Sequence, residues 1–550
     1  MAKSKKTRKY IFVVGGVMSG VGKGIVSATI GNLLQSRGLT ATAIKIDPYI
    51  NVDAGTMNPT EHGEVFVMKS GLETDQDMGN YERFLNKDLP AENYMTTGSV
   101  YKTIIERERN LEFKGKNVEV VPDVPLEVIR RIKKAAELED ADVTIVEVGG
   151  TVGEYQNIIF LEAVRMMKTE MPDDVATVLV SFLPVPSSIG EMKTKPTQYA
   201  ARTLNATGVF ADMIIARAPV SIDKKRREKI ARFCNVNAEN VISAPDVDSI
   251  YDVPLNFERD GLSMKLCSIL DMKKCSKESD MKEWKKFVTK TKNPKKEVSI
   301  AVVGKYFSSG DFVLSDVYIS ILEAIKFSAY SIGAKAKIDY VSSQDFESGK
   351  GLSKLSKYDG ILIPGGFGTT GIEGKINVIK YARENKIPYF GICYGMQLMV
   401  VEYARNVAGI EDATTHEIDP HAKNRIIDIM DEQKEKLKRK DYGGTMRLGS
   451  YLAHIRKGTI AHKAYGTASV EERHRHRYEV NPAYIAKLVE SGFKFSGVSP
   501  DRKLMEIAEI SQSEHPFMLG TQFHPELQAR PLAPHPLFTS FIKATLKNKK

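Results

Sequence analysis

The chain predicts an α/β fold in two domains, each a mostly parallel sheet flanked by helices. Apolar strand-like runs alternate with helical patterns through the first half of the sequence. A stretch rich in Lys, Glu, Ser and Asn interrupts the pattern over residues 270–298. A second alternation starts at Val298-Ser299-Ile300-Ala301-Val302-Val303-Gly304 and continues through Gly360-Ile361-Leu362-Ile363-Pro364-Gly365-Gly366. Strands alternating with helices imply crossover connections and hence parallel pairing. The expected division is a first domain over 1–270, a linker over 271–297 with a short helix near Trp284, and a second domain over 298–550. A length of 550 residues suits two or more domains.

The strands expected in the first domain are 11–15, 42–46, 118–121, 143–148, 176–182 and 213–217. The basic start, Lys3 to Lys9 before Tyr10-Ile11-Phe12-Val13-Val14, imitates a signal peptide, but its apolar run is short and enters a glycine-lysine loop. It reads as a first β-strand. No apolar run is long enough to span a membrane. The four cysteines, Cys234, Cys267, Cys275 and Cys393, fit neither a zinc site nor a disulfide framework, which points to a reducing cytoplasm. Hydrophobic content of 42% leaves enough apolar residues for sizeable cores. A net charge of +10 favours anionic partners. Aromatic-basic interleaving of the RNA-binding kind is not visible, so no nucleic acid partner is expected. The Lys-rich stretches at 3–9, 273–296, 434–440 and 547–550 read as solvated surface.

The first strand runs into Gly16-Val17-Met18-Ser19-Gly20-Val21-Gly22-Lys23-Gly24, followed by a helical pattern from Ile25. Glycines let backbone amides approach phosphates, and the helix N-terminus adds positive potential. Lys23 would neutralise terminal phosphates. Five residues rather than four separate Gly16 from Gly22, and Gly24 replaces the usual Ser or Thr. The hydroxyl that holds magnesium in the standard loop is therefore missing. Magnesium needs hard oxygen ligands. Asp77 and Glu147 are the candidates, the latter at the end of a strand where α/β folds bind ligands. By spacing alone, either is equally a capping or solvent-facing carboxylate. Lys193-Thr194-Lys195-Pro196-Thr197-Gln198 puts two lysines on one face of an expected extended segment, suited to a triphosphate, with Gln198 free to read a base or ribose. An exposed basic loop is the competing reading.

In the second domain, Gly391-Ile392-Cys393-Tyr394-Gly395-Met396-Gln397 lies between a strand-like run and a helical segment. This is a cysteine version of the nucleophile elbow, and the helix N-terminus favours a thiolate. His524, in Gln522-Phe523-His524-Pro525-Glu526, would take the thiol proton, with Glu526 orienting the imidazole. A lone cysteine is more often a small buried hydrophobe. Both glycines, the strand-turn-helix context and the His-x-Glu favour catalysis. The pattern resembles the class I glutamine amidotransferases, in which cysteine attacks the side-chain amide of glutamine and releases ammonia.

Longer motifs carry a second resemblance. Lys45-Ile46-Asp47-Pro48-Tyr49-Ile50-Asn51-Val52-Asp53, His62-Gly63-Glu64-Val65-Phe66-Val67, Tyr81-Glu82-Arg83-Phe84, Lys193 to Gln198, Cys234-Asn235-Val236, Asp246-Val247-Asp248-Ser249-Ile250-Tyr251 and Arg473 to Asn481 resemble the CTP synthase family over nearly the whole chain. The resemblance implies a P-loop NTPase-like amidoligase domain fused to a class I glutaminase. Such enzymes make CTP from UTP, ATP and glutamine through a 4-phosphorylated UTP and a cysteine acyl-enzyme. It implies ATP binding by Gly20, Val21, Gly22, Lys23, Gly24, Ile25, Asp77, Arg217, Pro245, Asp246 and Val247, with magnesium on Asp77 and Glu147. UTP or CTP would be held by Ser19, Lys45, Glu154, Tyr155, Gln156, Lys193, Thr194, Lys195, Pro196, Thr197, Gln198 and Lys229. Glutamine would meet Gly366, Tyr394, Gly395, Met396, Gln397, Glu417 and Arg477, with Gly366 and the Tyr394 amide as the oxyanion hole. A homotetramer, filaments, CTP feedback and GTP activation are further family properties.

Two positions depart from the family pattern. Gly366-Phe367-Gly368-Thr369-Thr370-Gly371 has Thr370 where many members carry an Arg linked to GTP activation, so that activation is either impaired or rests on other groups such as Arg447. Gln156 stands where many have Glu, which bears on CTP inhibition. Two rival readings are weighed. One is an ATP-dependent amidoligase acting on another carbonyl or carboxylate, disfavoured by the block Lys193 to Gln198. The other is an idle nucleotide-sensing assembly protein, disfavoured by intact Cys393, His524 and Glu526.

Overall fold

The computed structural model describes residues 6–188, 190–305, 308–309, 312–313, 315–366, 368–429 and 446–549. It forms two compact units, Met1–Ala54 with Asp77–Val288, and Gly55–Gln76 with Thr289–Lys550. The division therefore differs from the expected one in two ways. Residues 55–76 belong to the second unit, and the boundary falls inside a helix rather than in a linker.

Among the described residues, the first unit carries a seven-stranded sheet. Its strands are β1 (Lys9–Gly15), β2 (Ala41–Asp47), β3 (Tyr94–Thr96), β4 (Val143–Val148), β5 (Val175–Phe182), β6 (Met213–Ala218) and β7 (Val241–Pro245). The order is β3-β2-β4-β1-β5-β6-β7, and every pairing is parallel. A parallel sheet covered on both faces needs near-continuous apolar strands. β4, Val-Thr-Ile-Val-Glu-Val, is buried throughout. Glu147 is its one charged residue, opposite Val13 on β1 and Lys45 on β2. The loop after β1 leads into α1 (Lys23–Ser36).

The expected strand at 118–121 does not form. Residues from Val120 begin α3 (Val120–Leu138), which follows α2 (Asp77–Leu85) in the numbering used here. Val121 is extended (φ −122°, ψ 121°) because a residue before proline is pushed out of the helical region. The valine run looked like a strand for that local reason. The Lys193–Gln198 block is likewise not an extended segment: Thr194 is the N-cap of α4 (Lys195–Ala206), and Pro196 sits in its first turn.

Cys267 and Cys275 form a disulfide, contrary to the sequence expectation. An eight-residue separation matches no framework, but the chain turns back after the helix Leu262–Ile269 and brings their Cα atoms to 6.3 Å. The expected linker carries the short helix anticipated near Trp284. This is α5 (Lys282–Lys292), whose Trp284 is buried and donates from its indole to the Tyr251 carbonyl at 2.9 Å. Met281, Trp284, Phe287 and Val288 recur at helical spacing among the lysines, a stripe that bulk composition conceals.

The second unit carries, among the described residues, a nine-stranded sheet. Its strands are β8 (Lys296–Gly304), β9 (Ala334–Ser342), β10 (Gly360–Ile363), β11 (Tyr389–Ile392), β12 (Arg447–Ile455), β13 (Ser469–His476), β14 (Lys494–Val498), β15 (Met505–Ile510) and β16 (Met518–Thr521). The order is β9-β8-β10-β11-β16-β15-β14-β12-β13. Pairings are parallel from β9 to β16 and antiparallel from β16 to β13. The adjacent parallel strands β10, β11 and β16 end on one side, which places their following loops together. Among the described residues, no helix is long and apolar enough to cross a membrane.

Candidate active sites

In the first unit the phosphate loop is built from its glycines outward. Gly20 and Gly22 take positive φ (69° and 84°), and Gly22 caps α1. Lys23 donates to the Gly150 carbonyl at 2.7 Å. Burial lowers the Lys23 pKa, and the Lys45 ammonium lowers it further, against the opposing pull of Glu147, Asp77 and Glu154. Lys45 reaches Asp77 Oδ2 at 2.5 Å and Glu147 Oε1 at 3.0 Å. The Tyr81 hydroxyl donates to the other Glu147 oxygen. Burial works to raise the Asp77 pKa, but the charge and hydrogen bond of Lys45 outweigh it and hold the carboxyl below its usual range. Two carboxylates, the buried Glu147 and the half-buried Asp77, thus converge on one cation beside the loop. Among the described residues, no cluster of three or more His, Cys, Asp or Glu gathers as a metal site. Magnesium bound with nucleotide phosphates needs only one or two carboxylates, so this pair fits it.

Gly22, Ile25, Arg217, Pro245, Asp246 and Val247 line one cavity of about 300 Å³. Six of the residues expected to meet ATP are thereby brought together. Arg217 donates to Asp246 Oδ1 at 3.0 Å. The residues expected to hold the pyrimidine nucleotide are more dispersed. Lys193 pairs with Glu191 at 2.6 Å, and Gln198 donates to Thr194 Oγ1 at 3.0 Å. Thr197 is buried beside Ser181, while Pro196 is half-buried. Ser19, Lys195 and Lys229 are exposed. Glu154 accepts from the Thr151 amide at 2.9 Å and from Gln156 at 2.6 Å, while Tyr155 is 89% exposed.

In the second unit Cys393 sits between β11 and α7 (Tyr394–Asn406), which follows α6 (Ile372–Glu384). Its backbone is strained, with φ 50° and ψ −99°. The turn is crowded: a β-carbon on Gly395 would lie 2.3 Å from the Ile363 carbonyl oxygen. Ile392 pairs with Thr521, so β11 and β16 deliver Cys393 and His524 from neighbouring carboxyl ends. His524 Nδ1 lies 2.7 Å from Glu526 Oε1. Burial alone would lower the His524 pKa. The Glu526 carboxylate and the Cys393 sulfur override it and raise it to about 10. Gln522 Nε2 donates to Cys393 Sγ at 3.7 Å.

Cys393, His524, Glu526, Gly366, Glu417 and Arg477 share a cavity of about 430 Å³. Glu417 accepts from the Gly368 amide at 2.6 Å. The side chains of Tyr394, Met396 and Gln397 pack into the protein beside this cavity. Met396 is fully buried against Gly520, and Gln397 donates to the Tyr478 carbonyl and to Gln522. The Tyr394 ring covers Lys375, whose Nζ lies 5.2 Å from the ring centroid. Arg447, considered for nucleotide binding, reaches Glu506 at 2.8 Å and Glu479 at 3.5 Å and stacks on Tyr451. Phe367 and Gly443 to Thr445 lie outside the described residues.

Sequence reasoning missed one wall of this cavity. Gly55, Thr56, Met57, Pro59, Glu64 and Val65 line it from the upstream segment. The motif His62 to Val67 carried the family resemblance without any nucleotide role, and that was the available signal.

Comparison with known proteins agrees with this geometry. The family described as CTP synthase N-terminus matches residues 9–272, and the family described as glutamine amidotransferase class-I matches residues 313–544. A CTP synthase of Symbiobacterium thermophilum is 46% identical over 98% of this chain and 98% of its own length. Another, of Thermococcus gammatolerans, is 48% identical over 98% and 99%. A solved Trypanosoma brucei glutaminase domain is 36% identical over 46% of this chain and 94% of its own, with a TM-score of 0.42. Similarity of this extent across both halves places the chain in the CTP synthase family.

Proposed function

We propose that the chain converts UTP to CTP in two half-reactions, taking its nitrogen from glutamine. The observation that carries this reading is the Cys393–His524–Glu526 centre in the same chain as a phosphate loop with buried Lys45 and Glu147 and half-buried Lys23 and Asp77. In the glutaminase half the Cys393 sulfur attacks the side-chain amide carbon of glutamine. The amides of Gly366 and Tyr394 receive the oxyanion. His524 holds its proton through neutral pH and gives it to the departing ammonia. The neutral imidazole then takes a proton from the water that hydrolyses the thioester, with Glu526 orienting the ring. Glu417 and Arg477 have the charges to hold the α-ammonium and α-carboxylate of glutamine.

In the synthase half, the uracil 4-oxygen is a poor leaving group. Phosphoryl transfer from ATP to that oxygen lets ammonia attack C4, and the oxygen departs with phosphate. The amides of Gly20 to Ile25 and Lys23 hold the ATP phosphates, while Arg217 and Pro245 to Val247 hold the rest of the nucleotide. Asp77 and Glu147 would hold magnesium, which neutralises phosphate charge when bound. Ser19, Lys45, the Lys193–Gln198 block and Lys229 serve the pyrimidine nucleotide.

GTP activation is weak in this reading. Position 370 lacks a guanidinium, and Arg447 is engaged by Glu506 and Glu479. CTP would return to Glu154, Tyr155 and Gln156 as feedback inhibitor. Assembly as a homotetramer, with filaments beyond it, is supported by exposed Ile50, Val52, Ile105 and Tyr155. Glutamine labelled with 15N in its amide should yield CTP labelled at the 4-amino group. UTP labelled with 18O at position 4 should yield labelled phosphate. Unlabelled phosphate would exclude the phosphorylated intermediate.

A further inference from the structure

The strand β13 holds both catalytic residues through its backbone. The His524 amide donates to the Arg473 carbonyl at 2.7 Å, and Cys393 Sγ lies 3.8 Å from the Arg475 carbonyl. β13 is the edge strand of its sheet, so carbonyls on its open side are free of the ladder and available for these contacts. Residues two apart on a strand share a face, and the side chains of the same two arginines meet the same upstream hairpin. That hairpin pairs Phe66–Val67 with Glu73–Thr74. Arg473, 1% exposed, donates to the Val67 carbonyl at 3.1 Å and lies over the Phe66 ring at 5.5 Å. Arg475 donates from Nε to Glu73 Oε1 at 2.7 Å, and Glu73 is 4% exposed.

We propose that Glu73 is a positioning residue of the glutaminase centre: by holding the Arg475 side chain it fixes the carbonyl that faces the Cys393 sulfur. The proposal rests on the reading of Cys393 and His524 as that centre. Glu73 does not touch glutamine; it acts through Arg475. The physical cause is the cost of breaking a buried ion pair. Removing one partner of such a pair is strongly destabilising, and the segment carrying the other charge shifts to regain what it lost. Here that segment is an edge strand with a catalytic contact on its backbone. A displacement of about 1 Å in such a contact costs about a hundredfold in rate.

The test uses the full-length protein and initial rates of glutamine hydrolysis. Glu73→Gln keeps the shape and removes the charge. Its glutaminase kcat should fall about ten- to a hundredfold with little change in KM. Inactivation of Cys393 by iodoacetamide should slow in parallel, because the sulfur is no longer aligned. Glu73→Asp should recover part of the loss. Arg475→Gln combined with Glu73→Gln should be no worse than the poorer single variant, since both break one link. A wild-type kcat in Glu73→Gln, a change in KM alone, or additive losses in the double variant would each overturn the proposal. If Glu73→Gln does not fold, Glu73→Asp decides: a kcat deficit supports positioning and a wild-type kcat overturns it. Absence of glutaminase activity in the wild-type protein would instead overturn the underlying reading of the centre.

Discussion

A β-carbon on residue 24 would stand 2.0 Å from Asp77 Oδ1, so the space beside the phosphate loop is filled by the Asp77 carboxylate and a side chain at Gly24 would have to displace it. The departure from the standard loop is therefore an exchange of oxygen donors. The hydroxyl that a Ser or Thr would bring from the loop is absent, and a carboxylate from α2 stands in its place. Gly24→Ser, which restores the standard residue, should lower CTP formation from either glutamine or ammonia by about tenfold or more, by displacing Asp77. Steady-state rates with both nitrogen sources check it, and an unchanged rate would show that Asp77 moves aside freely.

Lys23 is half-buried near Lys45, Glu147 and Asp77, with its ammonium on the Gly150 carbonyl. Phosphorylation of UTP precedes either nitrogen source. Lys23→Ala should accordingly abolish CTP formation from glutamine and from ammonia alike. Survival of either activity would displace Lys23 from the ATP site.

Cys393→Ala should abolish glutamine-dependent CTP formation and spare the ammonia-dependent reaction. Loss of both would mean that the division of labour between the two halves is wrong. Loss of measurable glutaminase activity in this variant would also eliminate the idle assembly reading.

Legibility from sequence tracked the range of the interactions. Strands β1, β4 and β5 were readable because a two-sided parallel sheet demands continuous apolar runs. Cys393 was readable because its turn is local: Gly391, Gly395 and the strand-turn-helix order lie within a few residues. Val118 to Val121 misled because a proline imposes extended backbone without a sheet. α5 was legible as a short helix near Trp284, but its lysines concealed that Trp284, Phe287 and Val288 bury one face of it. The hairpin 66–74 was illegible in principle, since its partners Arg473 and Arg475 lie some four hundred residues away and no periodicity encodes that distance. The Cys267–Cys275 bond is an exception to that rule: it spans only eight residues, but it depends on how a helix end turns back, which spacing does not encode.

Lys375 is fully buried, and its ammonium makes no hydrogen bond among the described residues. Burial, reinforced by Lys305 and opposed by Glu417, lowers its pKa from 10.5 to about 7. Between those values the unfolded chain binds a proton that the folded chain does not, so stability rises with pH across that window. The penalty is complete below about pH 7 and vanishes above the unfolded value. Lys375→Met should therefore raise stability at neutral pH by up to about 5 kcal/mol, with the gain fading as pH approaches 10. Thermal unfolding of both proteins at the two ends of the window measures it, and a gain independent of pH would assign the effect to packing instead.

The central claim is that one chain makes its own ammonia and adds it to UTP. The most direct measurement is CTP formation from UTP, ATP and magnesium, with glutamine or ammonia as nitrogen source, each with and without GTP. The account predicts product from both sources, and a small GTP effect on the glutamine reaction because Thr370 offers no guanidinium. No product from either source, with glutamine still hydrolysed, would contradict it and point to a related amidoligase with another acceptor.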